Sequence, residues 1–230
     1  MNAVDLPLIS LARQSGYRLI NSKYPPIHLF DDVASADEFE TLYALQARTN
    51  PRIQNELGNL NLVAPADRPF GIPGCAYALA PFTHVNPDGS RFSDGQRGVL
   101  YVADTLDTAI QEVAHHQQRY WQGVEGLAYD RILLRSLYCE FDADPVADAC
   151  SLPVNHPIYD RDSYVAARAL GDQLRQQDVI AVQYHSVRHP GAVCWGLFTP
   201  RTVTSIKQAA HFEMIWDGKS ITGTYQITAQ

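Results

Sequence analysis

Apolar and polar positions along this chain change period several times, and the changes mark its elements. Residues 17–20 form a short apolar stretch of strand type. From 36 to 48, Phe39, Leu42, Tyr43 and Leu45 share one face at helical spacing, and Asn50-Pro51 ends the run. Residues 65–87 are rich in Pro and Gly and read as loop, with one strand at 75–79. The centre reads strand then helix. Residues 98–102 are apolar, Asp104 stands as an N-cap with Asp107 three positions on, and Leu106, Ile110, Val113 and Gln117 line one face of a helix reaching Trp121. Residues 131–141 alternate as a strand. A further helix, capped by Asp160 or Asp162, carries the stripe Tyr164, Ala167, Leu170, Leu174. Residues 179–184 and 192–198 are strands on either side of a loop at 185–191, and 206–227 reads as a hairpin turning at Asp217-Gly218. The irregular alternation predicts an α+β fold, a twisted sheet with helices packed on it, and argues against a doubly wound one.

Composition narrows the function classes. The chain has 230 residues, 46% of them hydrophobic and 19% charged, enough for a sizeable core in one domain. Its net charge of −7 argues against broad nucleic-acid binding, which needs a basic face. The first residues, Met1-Asn2-Ala3-Val4-Asp5, lack the basic and apolar regions of a signal peptide, and no apolar run is long enough for a membrane span. Cys75, Cys139, Cys150 and Cys194 form no Cys-x-x-Cys pair, so reduced thiols in a cytoplasmic protein are expected in place of a zinc site. The sequence holds no internal repeat and no low-complexity segment.

Few residues stand out as chemistry. Glu112 lies near the start of the central helix, on a face shared with Thr108, His115, His116 and Arg119. A lone helix glutamate is ordinarily solvated and paired, but this one follows a strand bearing Tyr101, where a pocket wall is natural. Gln111-Glu112-Val113-Ala114-His115 has the outline of a zinc-protease helix with its first histidine replaced by glutamine, a poor ligand, and Glu112-x-x-His115 has no second copy to complete a di-iron pair. No metal site is expected. Arg18 sits in the first strand and Arg91 follows the turn Asn86-Pro87-Asp88-Gly89; either could be a surface group, or could offer a guanidinium fork to a diphosphate. Ser186, in Tyr184-His185-Ser186-Val187-Arg188, lacks the Gly-x-Ser-x-Gly of a serine hydrolase and reads as a hydrogen-bonding pocket residue. None of His84, His115, His116, His185 or His189 stands out as a catalytic base.

Taken in order, these residues resemble the RES domain, named for its Arg, Glu and Ser. Its glycine-arginine-aromatic segment matches Gly89-Ser90-Arg91-Phe92-Ser93, with Phe-Ser where many members have Trp-Asn. Its strand tyrosine matches Tyr101, its helix glutamate Glu112 and its late serine Ser186, while Tyr17-Arg18 matches its N-terminal arginine. The resemblance spans about residues 17–200 of a single domain, with an inserted segment at 24–82 and a C-terminal hairpin extension at 201–230. It implies a fold similar to ADP-ribosyltransferases, with a split sheet and an NAD cleft. It also implies the activity of the family's toxins, which attack NAD as substrate with no required cofactor. Glu112, Arg91 and Tyr101 are then the catalytic group. Arg18 and Arg91 hold the pyrophosphate, Phe92 and Tyr101 stack on nicotinamide, and Ser186 bonds its ribose or amide. The implied partner is a cognate antitoxin of helix-turn-helix Xre type, with no nucleic acid or membrane involved. Two alternatives stay open: an ADP-ribosyltransferase that modifies a protein, and a binding protein that retains the pocket without activity.

Overall fold

The computed structural model describes residues 5–23, 38–39, 41 and 58–228. Most of the helix expected at 36–48 therefore lies outside the described residues, as do Asn50 and Pro51. Seven strands form one sheet in the order β1-β2-β5-β4-β3-β6-β7, and β1 also pairs with β3. These are β1 (Leu8–Asn21), β2 (Leu100–Ala103), β3 (Asp130–Asp148), β4 (Ala181–His185), β5 (Val193–Leu197), β6 (Val203–Trp216) and β7 (Ile221–Ile227). They are accompanied by the helices α1 (Cys75–Thr83), α2 (Leu106–Gln122) and α3 (Val165–Gln176). The α+β expectation holds.

The long strand β3 organises the sheet. One edge runs antiparallel to β1 from Leu8↔Ala147 to Asn21↔Leu134. The other edge is divided. Residues from Asp130 to Phe141 pair with β6, and Val146 to Asp148 pair in parallel with β4. Because β1 meets β2 as well as β3, strands β1, β2, β5, β4 and β3 close on themselves. The closure is narrow, a single register pair at Tyr17↔Ala103. Gly16 makes it possible, since a Cβ there would lie 2.3 Å from the Ala103 carbonyl oxygen.

Both faces of the sheet are covered, so successive residues of one strand enter different cores. Leu137, Cys139, Phe141, Trp195 and Leu197 pack with α1 on one side. Leu134, Val182, Tyr184 and Cys194 pack on the other, beneath Ala109 of α2 and Ala167, Leu170 and Leu174 of α3. All four cysteines are free thiols, and burial pushes Cys139 up to about 12.

Four expectations change. The first strand is longer than 17–20 and begins at Leu8. Residues 75–79 are helix, not strand, because the alanine-rich run Cys75-Ala76-Tyr77-Ala78-Leu79-Ala80 favours helix and Gly74, at φ 76, turns the chain into it. The cap of α2 is Thr105, whose hydroxyl accepts the Thr108 N–H, while Asp104 turns away to accept the Val193 N–H at 2.9 Å. Neither Asp160 nor Asp162 caps α3, which starts after Tyr164; the Asp160 carboxylate takes the N–H groups of Asp162 and Ser163 in the turn before it. The C-terminal hairpin is present, its turn between β6 and β7 closed by Asp217 accepting from Lys219 and Ser220.

Replacing Gly16 with Ala tests the closure. The methyl group meets backbone, which cannot rotate away, so a loss of about 1–3 kcal/mol is expected as for overpacking in a core. Urea unfolding reads it, and a midpoint equal to wild type would mean that β1 and β2 do not need their close approach.

Candidate functional site

A cleft of about 530 Å³ opens beside the sheet closure. Its walls are Tyr17, Arg18 and Leu19 of β1, the turn at 89–93, Tyr101 and Ala103 of β2, one face of α2, and Tyr184. Tyr101 fixes the turn to β2. Its hydroxyl accepts the Phe92 N–H at 2.9 Å and shares a hydrogen bond with Ser90 Oγ at 2.8 Å, and burial raises its pKa. Two arginines of α3 hold the same turn from behind. Arg168 donates to the carbonyls of Ser90 and Asp88, and Arg175 to that of Phe92. Gly171 lets α3 approach, since a Cβ there would sit 2.4 Å from the Phe92 carbonyl oxygen.

Glu112 projects from α2 into this cleft. Ser186, distant in sequence, donates its hydroxyl to Glu112 Oε1 at 2.6 Å. Ser186 Oγ also accepts the N–H groups of Arg188 and His189, at 3.2 and 3.0 Å. His189 Nδ1 lies 2.9 Å from Thr108 Oγ1, so the turn after β4 is pinned to α2 at two points one helical turn apart. With its lone pairs taken by two N–H donors and its proton on Glu112, Ser186 orients the carboxylate and is no nucleophile. This corrects its expected contact with ribose or amide: Ser186 is buried, and its hydroxyl hydrogen is already given to Glu112.

The charge in the cleft is basic apart from Glu112. Arg18, Arg91 and Arg97 line it. Among the described residues Arg18 makes one hydrogen bond, to the Tyr101 carbonyl at 3.3 Å, and burial lowers its pKa. Arg91 is more committed than the sequence suggests. Its Nη1 donates to the carbonyls of Ile158 and Asp160 at 2.8 and 3.1 Å, and its guanidinium lies 4.6 Å from the Tyr164 ring centre. It is only 8% exposed. So Arg91 anchors the segment before α3 while one side of it faces the cleft.

Phe92 is a second correction. It is 0% exposed and packs edge-on against Tyr184, with ring centres 5.0 Å apart. A ring buried behind the wall cannot stack on a ligand, so only Tyr101, of the expected pair, is at the cleft. The structure adds Tyr184, Tyr164 and Arg97 to the cleft, Arg97 contributing charge from the turn after Phe92, and brings His116 to it as well. Tyr164 had been placed in an apolar helix stripe. His116, four residues beyond Glu112, lies on the helix face where the sequence put it. Among the described residues no group of three or more His, Cys, Asp or Glu side chains could hold a metal ion.

A family model for the RES domain matches residues 68–217, and the chain belongs to that family. The match contains Arg91, Tyr101, Glu112 and Ser186, and begins after Arg18. The uncharacterized protein y4oC of Sinorhizobium fredii is 28% identical over 215 residues, spanning 91% of this chain and 86% of the relative. A chain from the crystal structure of the M. tuberculosis MbcT–MbcA toxin–antitoxin complex aligns with a TM-score of 0.37 at 12% identity, over 54% of this chain and 73% of that one. No described helix is long and apolar enough to cross a membrane.

Arg91→Ala should destabilise the fold as well as alter the cleft. It strips two backbone carbonyls of a charged donor, at about 1.5–3 kcal/mol for such a bond. Chemical denaturation of Arg91→Ala and Arg91→Lys measures this, with Lys recovering part of the loss. Equal stability in wild type and the alanine variant would make the Ile158 and Asp160 contacts dispensable.

Proposed function

We propose that this protein is a cytoplasmic RES toxin that degrades NAD by cleaving the bond between nicotinamide and ribose, with no cofactor. The observation that carries the reading is the Glu112 carboxylate, fixed by Ser186 in a cleft otherwise lined by the cations Arg18, Arg91 and Arg97. NAD carries an anionic diphosphate next to a ribose that becomes cationic as nicotinamide leaves. A site for it needs positive charge at one end and a single negative charge at the other. Arg18 and Arg97 are suited to the diphosphate, with Arg91 assisting from its anchored position. Tyr101 and Tyr184 give the apolar wall on which nicotinamide rests.

Glu112 then acts as in glycoside cleavage: its negative charge stabilises the positive charge that grows on the ribose. Ser186 matters through Glu112, since a carboxylate free to rotate would spend less time where that charge develops. Water, phosphate or a protein side chain can accept the ADP-ribosyl group, and a protein acceptor would make the same site an ADP-ribosyltransferase. A toxin of this kind requires silencing, and a small antitoxin of Xre type, covering the cleft, is the partner this reading entails.

Incubation of the purified protein with NAD, with and without phosphate, should release nicotinamide, and the second product identifies the acceptor. NAD left intact in both mixtures would sink the proposal. Glu112→Gln should keep the fold and lose about a hundredfold or more in kcat, the cost of one electrostatic group in the transition state. Near wild-type turnover would return Glu112 to the status of a surface glutamate. Ser186→Ala should lower kcat by between about tenfold and a hundredfold, the cost of a misplaced catalytic group, with KM nearly unchanged. A change confined to KM would make Ser186 a ligand contact instead. EDTA should leave the rate as it was; loss of activity restored by zinc or manganese would demand a different mechanism.

A further inference from the structure

Helix α2 lines a second cleft on its other side. Gln111, His115 and Gln118 line it together with Arg161, Arg188 and Thr224, in a space of about 370 Å³ between α2, the segment before α3 and the edge strand β7. Its surroundings are basic in a chain of net charge −7. No Asp or Glu lines it. Burial pushes His115 down to about 4, and the charges acting on it next, from Arg188, His116, Arg119 and Arg161, push the same way. Its ring is therefore neutral at pH 7.

Two polar atoms here are buried and bonded to nothing among the described residues, Arg188 Nε and His115 Nε2. Buried polar atoms without partners are costly, and a guanidinium edge with no acceptor is the more costly of the two. Arg188 is already tied to its neighbour, because its Nη2 donates to the Arg161 carbonyl. Arg161 itself is exposed, with its side chain free to close over the cleft.

We propose that this second cleft is a binding site for a phosphate-bearing anion. A tetrahedral oxyanion offers several acceptor oxygens, enough for two guanidinium groups, an imidazole N–H, the Thr224 hydroxyl and the amides of Gln111 or Gln118. The site is distinct from the cleft of Glu112. Ala109, Glu112, Val113 and His116 face that one, and α2 stands between the two. They touch through one turn, since the Arg188 backbone N–H donates to the serine hydroxyl that holds Glu112.

Calorimetry with inorganic phosphate, and separately with ADP, tests the site on the whole chain. Wild type should show a phosphate-binding event that Arg161→Gln and Arg188→Gln each weaken by about tenfold or more, the loss of a charge-assisted contact. Arg97→Gln, which alters the Glu112 cleft, should leave that event in place, whatever it does to phosphate bound beside Glu112. If Arg188→Gln fails to fold, Arg161→Gln decides, because the Arg161 side chain is exposed and makes no hydrogen bond or ion pair among the described residues. ADP binding that also requires Arg161 identifies a nucleotide as the source of the phosphate. Phosphate binding without it identifies the free ion. Absence of phosphate binding up to about 10 mM, or binding lost in Arg97→Gln and kept in Arg161→Gln, overturns the proposal.

Discussion

Buried irregular backbone must find hydrogen-bond partners, and in this protein arginine supplies many of them. The cleft and its supports include short irregular segments at 88–93, 157–161 and 186–189, which leave several carbonyls without a strand or α-helix partner. Arg168 takes those of Asp88 and Ser90, Arg175 that of Phe92, Arg91 those of Ile158 and Asp160, and Arg188 that of Arg161. Each is a charged donor, roughly twice as strong as a neutral one. The turns gain a fixed shape without regular structure. The positive charge is left over, because a carbonyl accepts a hydrogen bond without cancelling the cation. An acidic protein thus keeps a basic interior around its cleft.

That residue of charge gives Glu112 its setting. An unpaired carboxylate deep in an apolar wall would be costly, whereas one facing several guanidinium groups across a cleft is electrostatically supported before any ligand arrives. Ser186 supplies direction as well as charge balance, and it can do so only because β4 and β5 bring the turn after His185 beside the first turns of α2. The pairing of β4 with β5 from Ala181↔Leu197 to His185↔Val193 sets where that turn falls. A slip of one residue would put Tyr184 in the core of the opposite face and carry Ser186 away from Glu112. Register in a buried strand pair, stabilised by apolar side chains that take no part in chemistry, therefore controls the geometry of the carboxylate.

How much of this was legible in the sequence follows from the range of each interaction. Helices α2 and α3 and strands β4 and β5 announce themselves through local apolar period, and they stand close to where that period puts them. Helix α1 does not, because its run is short and flanked by Pro and Gly. Its burial on both sides, with Cys75, Ala78 and Leu79 all near zero exposure, erases the helical period. Glu112, Tyr101 and Arg18 were legible as cleft residues because they interrupt apolar elements. The partner of Ser186 was not, since a hydrogen bond across 74 residues leaves no local trace. Phe92 misled for the opposite reason. An aromatic beside a functional arginine suggests stacking, but neighbouring side chains of a turn leave it in different directions. Arg91 faces the cleft, and the ring of Phe92 falls inward on Tyr184.

The same arginine logic separates two kinds of cation that look alike in sequence. Arg168 gives its donors to two carbonyls behind the wall, and Arg175 gives one to the Phe92 carbonyl while lying over the Phe198 ring, so their replacement would loosen the turn that Tyr101 holds from the front. Arg97 is exposed at the cleft, and Arg18, with its single hydrogen bond to a carbonyl, keeps most of its donors for a ligand. Arg91 does both, which is why its loss mixes a folding defect with a binding defect. An experiment on ligand affinity alone would overstate its contact with substrate. Only the lysine variant, which keeps charge at the cleft while surrendering the two-carbonyl grip, separates what Arg91 does for the fold from what it does for the site.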